Sequence, residues 1–337
     1  MHIRHPDGHV FRVSRGIEET RYMQQPPLKR MPRVISVTGP VELPLKGVFL
    51  PHEHVMSIFG GERSGHVTYD EERLVNAVVP YLRNLKALGC AAIADCTAAW
   101  IGRRPDILRR ISRESGLVIL TNTGYYGAAG GRYLPDGIES LGVDEIAGRW
   151  VMEWEKGIDG TVIRPGFIKT GIDGDMLSVR DRTLIEAAAR AHLSTGLLIQ
   201  THTGDNPSGA FEILSILKAG GVPPRAWVWV HAHLVRDQRR LIPAAREGAW
   251  ISLDGVHPER DTAILSTLRL MRAEGLLDRI LLSHDGNAFT ADGSRRPFEH
   301  LLTGFRDKFL AEGFTDEEYS RLTETNPSRA FAVDRHG

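Results

Sequence analysis

The chain has 337 residues, which is enough for one large hydrophobic core or for two ordinary domains. Lysine plus arginine equals aspartate plus glutamate, 42 each, so no net charge favours nucleic acid or an anionic membrane as a partner. The two cysteines, Cys90 and Cys96, are too few for a disulfide framework and indicate reduced, buried thiols, which predicts a cytoplasmic protein.

Residues 1–33 differ from the rest of the chain. They are polar and rich in His, Arg and Pro, and they lack the apolar centre of a secretion signal. No later segment reaches the roughly 18 uninterrupted apolar residues that a membrane span needs. We expect residues 1–33 to form an N-terminal extension, either an arm packed on a neighbour or a partly disordered tail, in front of one domain over 34–337.

Strand-like apolar runs alternate with helix-like amphipathic patterns from Gly47 to the C-terminus. Eight strands are predicted, at residues 47–50, 91–94, 117–120, 166–170, 197–200, 227–230, 250–253 and 280–282. Helices are predicted at 70–88, 105–115, 143–155, 179–195, 208–217, 237–246, 261–274, 298–310 and 316–322. This alternation predicts an α/β fold, a parallel (β/α)8 or TIM barrel. An open, doubly wound sheet is the alternative, but the Gly-rich phosphate turn that it requires after its first strand is missing.

Polar residues with metal-binding chemistry follow several of the predicted strands. His52 and His54 come after the first strand, and two residues apart they project to the same side of an extended chain. The later strand ends supply Lys169 from the fourth, His202 from the fifth, His231 from the sixth and Asp285 from the eighth. Because active sites of such barrels lie at the C-terminal ends of the strands, we expect these side chains to converge.

These residue types predict a binuclear metal site. Neutral imidazoles and a carboxylate are usual ligands of zinc, manganese or cobalt, and four histidines with one aspartate exceed what one tetrahedral catalytic ion takes from protein. An ammonium at Lys169 would be repelled by the ions. If burial and metal charge depress the pKa of Lys169, the neutral amine can add carbon dioxide, and the resulting carbamate has two oxygens suited to bridging two ions.

The order of these residues resembles the phosphotriesterase family of the amidohydrolase superfamily, from about Val37 to the C-terminus. The motifs that carry the resemblance are Pro51-His52-Glu53-His54, Gly166-Phe167-Ile168-Lys169, Thr201-His202-Thr203, Val230-His231, Ser283-His284-Asp285 and Asn326-Pro327. The resemblance implies a (β/α)8 barrel of amidohydrolase type and a binuclear zinc-type centre with a carboxylated lysine. It also implies hydrolysis of phosphotriesters, lactones or other esters, as in phosphotriesterase-like lactonases, and a homodimer.

The resemblance assigns roles to the predicted ligands. It implies that His52, His54 and Asp285 hold the more buried ion, and that carboxylated Lys169 bridges to the more exposed one. The ligands of the exposed ion are then His202 and His231. Two such ions can share a hydroxide that attacks the scissile bond, and Asp285 can orient this hydroxide and accept its proton.

One departure from the family pattern concerns the sixth strand. Family members often have Gly before the histidine and an acid two or three residues after it. Here Val230 precedes His231, and His233 and Leu234 fill the later positions. Because the usual proton-relay acid is missing, we expect lactones or carboxylic esters to be preferred over phosphotriesters. His233 could replace this acid or could be an ordinary loop histidine.

Candidate substrate contacts lie on the predicted rim loops. The phenols of Tyr125 and Tyr126 could hydrogen-bond a substrate oxygen, or they could pack at the barrel rim. Arg236 could recognise a phosphate or carboxylate, with His233 beside it, although a solvated arginine at a helix start fits equally well. Further residues on these loops are Trp100, Asp254 and His257.

Three functions fit this pattern. The first is a binuclear hydrolase of a small-molecule ester or lactone. The second is a single-metal, deaminase-like amidohydrolase in which Lys169 stays an ammonium. Its ligands would be His52, His54, His202 and Asp285. The third is a barrel without catalytic activity, in which a metal has a structural role. The ligand set argues against the third function, because a barrel without catalytic activity has no reason to retain a metal site with an open coordination position.

Overall fold

The computed structural model describes residues 2–4, 10–12, 31–59, 69–174, 176–290 and 292–333. The chain separates into a unit over 1–31 and a unit over 32–337. In the first unit, β1 (His2–Arg4) and β2 (Val10–Arg12) form an antiparallel pair. The rest of the predicted arm or tail lies outside the described residues, and the predicted domain boundary after residue 33 stays a prediction.

The second unit begins with an antiparallel hairpin of β3 (Arg33–Ser36) and β4 (Gly39–Glu42). Nine parallel segments follow: β5 (Val48–Glu53), β6 (Cys90–Asp95), β7 (Val118–Leu120), β8 (Asn122–Thr123), β9 (Phe167–Gly171), β10 (Ile199–His202), β11 (Trp227–Val230), β12 (Trp250–Leu253) and β13 (Ile280–Leu282). All eight predicted strands are present, because β7 and β8 are separated by Thr121 alone and together form the third.

The strands pair in chain order. One sheet runs β5-β6-β7 and the other runs from β8 to β13, with every neighbouring pair parallel. The chain after β13 then returns to β5: Asp285 N donates to His52 O at 3.2 Å, and His54 N donates to Gly286 O at 2.9 Å. This order confirms the (β/α)8 barrel.

Helices surround the strands: α1 (Glu71–Ala87), α2 (Pro105–Ser115), α3 (Val143–Lys156), α4 (Val179–Thr195), α5 (Pro207–Ala219), α6 (Leu241–Glu247), α7 (Asp261–Ala273), α8 (Gly304–Ala311), α9 (Asp316–Ser320) and α10 (Asn326–Phe331). In the described part of the chain, none has the length and apolar character needed to cross a membrane. The helix predicted at 237–246 begins only at Leu241. This start places Pro243, which lacks an N–H, in the first turn, where no intrahelical partner is needed.

The interior of the barrel is apolar below the strand ends. Phe49, Phe167, Val228 and Leu281 are buried there. Phe331 of α10 packs against this group, with its ring 5.0 Å from that of Phe49 and 5.4 Å from that of Phe167. Since the strands are buried on both faces, polar side chains are concentrated at their C-terminal ends.

Candidate metal centre

All six predicted metal ligands line one cavity of about 630 Å³ at the C-terminal ends of the barrel strands. They are His52, His54, Lys169, His202, His231 and Asp285. The ring centroids of His52 and His231 lie 5.1 Å apart, and those of His202 and His231 lie 4.4 Å apart. The barrel therefore brings together side chains from β5, β9, β10, and the segments after β11 and β13.

The first group of potential ligands is His52, His54 and Asp285, which we call the Asp285 cluster. Asp285 Oδ1 lies 3.4 Å from His52 Nε2 and 3.3 Å from His54 Nε2. The backbone of Asp285 adopts the left-handed region, with φ of 55°. A non-glycine residue held there costs about 1–3 kcal/mol, so the surrounding structure must hold it in place, as is common at functional sites.

Hydrogen bonding fixes the tautomer of His54. Its Nδ1 lies 2.8 Å from Thr97 Oγ1, and the Thr97 hydroxyl donates to Met56 O at 2.7 Å. Because the hydroxyl has one proton, it accepts from His54 Nδ1–H. The Nε2 atom of His54 is then unprotonated and available as a ligand.

The second group is His231, His233 and Asp254, the Asp254 cluster. Asp254 is fully buried, and its Oδ1 lies 2.9 Å from His231 Nδ1 and 3.0 Å from His233 Nδ1. Its Oδ2 lies 3.3 Å from His52 Nδ1 and accepts from Ser252 Oγ at 2.9 Å. Only the His231 contact among these imidazoles is a hydrogen bond, because the other two nitrogens lack a hydrogen-bond partner.

Burial and charge give the imidazoles different protonation behaviour. Burial lowers the pKa of His52 to about 3, and burial also lowers the pKa of His202 well below its usual value. For His231, burial acts in the same direction, but the negative charge of Asp254 outweighs it and raises the pKa. Burial alone would raise the pKa of Asp285, yet the adjacent imidazoles of His52 and His54 hold it well below its usual range. Neutral imidazoles beside an ionised carboxylate suit a divalent cation.

Lys169 lies on β9 in the floor of the cavity. Its side chain is buried, its Nζ has no hydrogen-bond partner among the described residues, and burial lowers its pKa. A buried ammonium without a hydrogen bond is costly. The Nζ atom lies among histidines and carboxylates without a hydrogen-bond partner. This environment fits a lysine whose amine is chemically modified, or one whose amine contacts a group bound by those residues.

The predicted substrate contacts divide into two pairs. Tyr126 and His233 line the cavity, and the Tyr126 ring lies 5.2 Å from that of His202. Tyr125 does not line it: its ring packs 5.4 Å from that of Trp150 on α3. Arg236 is exposed and is also outside the lining.

Glu53 is a buried residue of the site that the sequence reasoning missed. Its carboxylate accepts hydrogen bonds from Ser283 Oγ at 2.8 Å, His284 N at 3.0 Å, His284 Nδ1 at 2.7 Å and Gly286 N at 2.7 Å. These bonds hold the loop that carries Asp285 against β5. The alternation of side chains along a strand was the available signal, since it places Glu53 on the side opposite His52 and His54.

Asp254 was predicted only as a rim residue, and the structure gives it a more central place. Its contacts with His231 and His52 join residues of both ligand groups. Gly255 follows it, and a Cβ there would lie 2.3 Å from His233 Nε2. The His233 ring thus occupies the space above Gly255. Of the other rim residues, His257 lines the cavity, and its Nε2–H donates to the carbonyl oxygen of His284 at 2.8 Å.

A barrel with imidazoles, carboxylates and a buried lysine at its strand ends belongs to the class of metal-dependent hydrolases. The sequence model of the phosphotriesterase family matches residues 32–331, and the chain belongs to this family. Members of the family are hydrolases, and the family is metal-dependent.

Curated relatives match three quarters of this chain or more. A phosphotriesterase homology protein of Escherichia coli (strain K12) is 27% identical over 293 residues, covering 85% of this chain and 98% of the relative. An N-acetyltaurine hydrolase of Xenopus tropicalis is 25% identical, covering 76% of this chain and 77% of the relative. The structure of an organophosphorus hydrolase from Deinococcus radiodurans superimposes with a TM-score of 0.78 at 28% identity, covering 89% of this chain and 96% of that one.

Proposed function

We propose that the chain is a binuclear metal-dependent hydrolase that acts on lactones or carboxylic esters. The observation that carries the proposal is the convergence of the six predicted ligands on one cavity. His52, His54 and Asp285 would hold one ion, and His202 and His231 the other, with zinc as the first choice and manganese or cobalt as alternatives. When bound, the ions would lower the pKa of a water molecule and polarise the scissile carbonyl.

Lys169 would bridge the two ions as a carbamate. Its neutral Nζ would form a bond to the carbon of carbon dioxide and lose one proton, and the product is an anion with two oxygens. The buried position and the missing hydrogen-bond partner support this modification. A chain loaded with ¹³C-bicarbonate should show a carbamate carbon resonance that Lys169→Ala lacks. A metal-loaded protein with two ions and an unmodified Lys169 would refute the modification.

Asp285 is the residue that we assign to proton transfer. Its Oδ1 lies near His52 and His54, and its Oδ2 lies 3.4 Å from Arg296 Nη1, toward the mouth of the cavity. An ionised carboxylate at this place can accept the proton of the attacking water. Asp254 is less suited to that role, because it is fully buried and its oxygens accept hydrogen bonds from His231 and Ser252.

An amide is the second candidate for the scissile bond. Several relatives are named N-acetyltaurine hydrolases, and their alignments cover three quarters of this chain or more. The same arrangement of residues could act on an amide carbonyl. The single-metal alternative requires Lys169 to remain an ammonium, and its buried Nζ has no described partner for that charge.

Metal analysis followed by a substrate panel tests the proposal. We expect two ions per chain after growth with zinc, and hydrolysis of lactones or carboxylic esters in preference to amides and phosphotriesters. His202→Ala should lower both the metal content and the rate. His192→Ala is a matched control, because His192 lies on α4 and does not line the cavity. One ion per chain, or the absence of hydrolysis across the panel with metal bound, would contradict the proposal.

The cytoplasmic location and the homodimer that the sequence predicts are further proposals. The two cysteines are free and buried, which agrees with a reducing compartment. Light scattering of the purified protein measures the subunit number, and a monomeric mass would contradict the homodimer.

A further inference from the structure

Three arginines line one side of the cavity mouth, and we call them the arginine rim: Arg260, Arg295 and Arg296. Arg260 lies in the loop between β12 and α7, and the other two lie between β13 and α8. They come from the loops after the seventh and eighth barrel strands. Phosphate groups of substrates are often bound by these two loops in barrels of this type.

The positive charge of the arginine rim is only partly balanced. Arg296 Nη1 lies 3.4 Å from Asp285 Oδ2, and Arg260 and Arg295 form no ion pair with any residue that the structure describes. Glu259 is the other acid at this part of the lining. Asp254 is already engaged by His231, and Asp285 belongs to the candidate metal centre. Besides Asp254 and Asp285, the cavity lining therefore contains three guanidinium groups and one carboxylate, that of Glu259.

The backbone holds Arg296 beside the cavity. Asn287 N donates to Arg296 O at 2.7 Å, and Arg296 N donates to Asn287 O at 2.9 Å. The Asn287 side chain in turn donates to Ser57 Oγ, which ties the loop to the chain after β5. The position of this charge is thus set by the same loop that follows Asp285.

We propose that the arginine rim binds an anionic group of the substrate, a carboxylate, phosphate or sulfonate, at the end remote from the scissile bond. This inference rests on the proposed function and names its substrate class. Guanidinium groups bind such oxyanions through paired, charge-assisted hydrogen bonds. The cavity of about 630 Å³ extends from the predicted ligands to the arginine rim and can hold a small molecule that reaches both.

Matched substrates test the inference. Lactones of equal ring size are compared, one with a neutral alkyl chain and others whose chain ends in a carboxylate, phosphate or sulfonate. We expect kcat/KM of at least one anionic lactone to exceed that of the neutral lactone by about tenfold or more. The side chain of Arg296 is 54% exposed, so we also expect this preference to shrink as ionic strength rises. The three anionic lactones distinguish the kinds of oxyanion.

The double variant Arg260→Met and Arg295→Met leaves Arg296 and its contact with Asp285 in place. It should reduce kcat/KM for the anionic lactone by about tenfold, mainly by raising KM. It should change kcat/KM for the neutral lactone by less than about twofold. Activity on the neutral lactone shows that the variant is folded and active. Arg113→Met, on the exposed surface of α2, is the matched control and should change neither rate.

The outcomes separate the two proposals. Equal rates for neutral and anionic lactones, or an anionic preference that the double variant does not reduce, would overturn the inference that the arginine rim binds an anion and leave the hydrolase proposal standing. Failure of the metal-loaded protein to hydrolyse any of these lactones, or the corresponding esters, would overturn both.

Discussion

The Asp285 cluster and the Asp254 cluster have the same composition, two histidines and one aspartate, but different geometry. In the Asp285 cluster the carboxylate faces two Nε2 atoms at 3.3 and 3.4 Å. In the Asp254 cluster it faces two Nδ1 atoms at 2.9 and 3.0 Å. Tetrahedral ligands about 2.0–2.1 Å from a zinc ion lie about 3.3–3.4 Å from one another. The Asp285 cluster therefore has the spacing of ligands around an ion, and in the Asp254 cluster the carboxylate is within hydrogen-bond distance of His231 and orients that imidazole.

Two groups of the same composition can therefore differ in the distances and in the ring nitrogens that face the carboxylate. Both carboxylates line the cavity, but the Asp285 side chain is 24% exposed, whereas Asp254 is fully buried. By accepting from Nδ1 of His231, Asp254 directs the opposite nitrogen of that ring toward the cavity. Four predictions test or sharpen this comparison.

The largest effect is expected from Asp285→Asn, which removes the proposed proton acceptor. Turnover should fall by about two to four orders of magnitude, the usual contribution of a positioned acid or base. Much of the metal should remain, because the histidine ligands are intact. Steady-state kinetics and metal analysis of the same preparation measure both. Asp307→Asn, on the exposed surface of α8, is the control. Near-normal turnover in Asp285→Asn would remove the assigned role.

Asp254→Asn should act mainly on metal binding. Loss of the carboxylate that orients a ligating histidine typically costs about 10–100-fold in metal affinity. Competition with a chelating indicator measures the affinity, and excess metal should restore much of the turnover. If Asp254→Asn instead lost turnover as severely as Asp285→Asn with both ions bound, the two clusters would not differ in the proposed way.

Acidification should release one ion before the other. A histidine must lose its proton to bind metal, and the charge of Asp254 raises the pKa of His231 despite its burial. As pH falls through this raised pKa, His231 becomes protonated and the affinity of its site should drop by about tenfold per pH unit. His52, with a pKa lowered to about 3, does not take up a proton in the same range. Metal content measured after dialysis across pH 5 to 8 checks this order, and simultaneous loss of both ions would contradict it.

The smallest effect is expected from Gly255→Ala. Its Cβ would lie 2.3 Å from His233 Nε2 and 2.5 Å from His233 Cδ2, so the ring must move away from residue 255. Because His233 is not among the predicted ligands, we expect a change of a few-fold in kcat/KM with the metal content unchanged. His233→Ala should lower kcat/KM only slightly. In the double variant, the His233→Ala substitution should cancel the effect of Gly255→Ala on kcat/KM. A loss of metal in either single variant would indicate that His233 is a ligand.

The strands and the residues at their ends could be predicted from the sequence alone. The alternation of apolar runs predicted the eight strands and their order, because backbone periodicity and burial on both faces leave a local pattern. The barrel rule then placed His52, Lys169, His202 and Asp285 at one mouth, and the structure brings them to one cavity. The helix start at Leu241 was missed because the pattern was extended through Pro243 without regard to the missing N–H.

The contacts that distinguish the residues from one another depended on the tertiary structure. The partners of Glu53 lie more than 200 residues away along the chain, and no local pattern relates them. Tyr125 and Tyr126 are adjacent in sequence, yet one packs against α3 and the other lines the cavity, because successive side chains of an extended segment point in opposite directions. Local patterns in the amino-acid sequence were enough to predict the order of the strands and the residue types at their ends. The register of neighbouring strands and the paths of the loops decided which carboxylate faces the Nε2 atoms and which faces Nδ1, since these distances depend on side chains brought together only by folding.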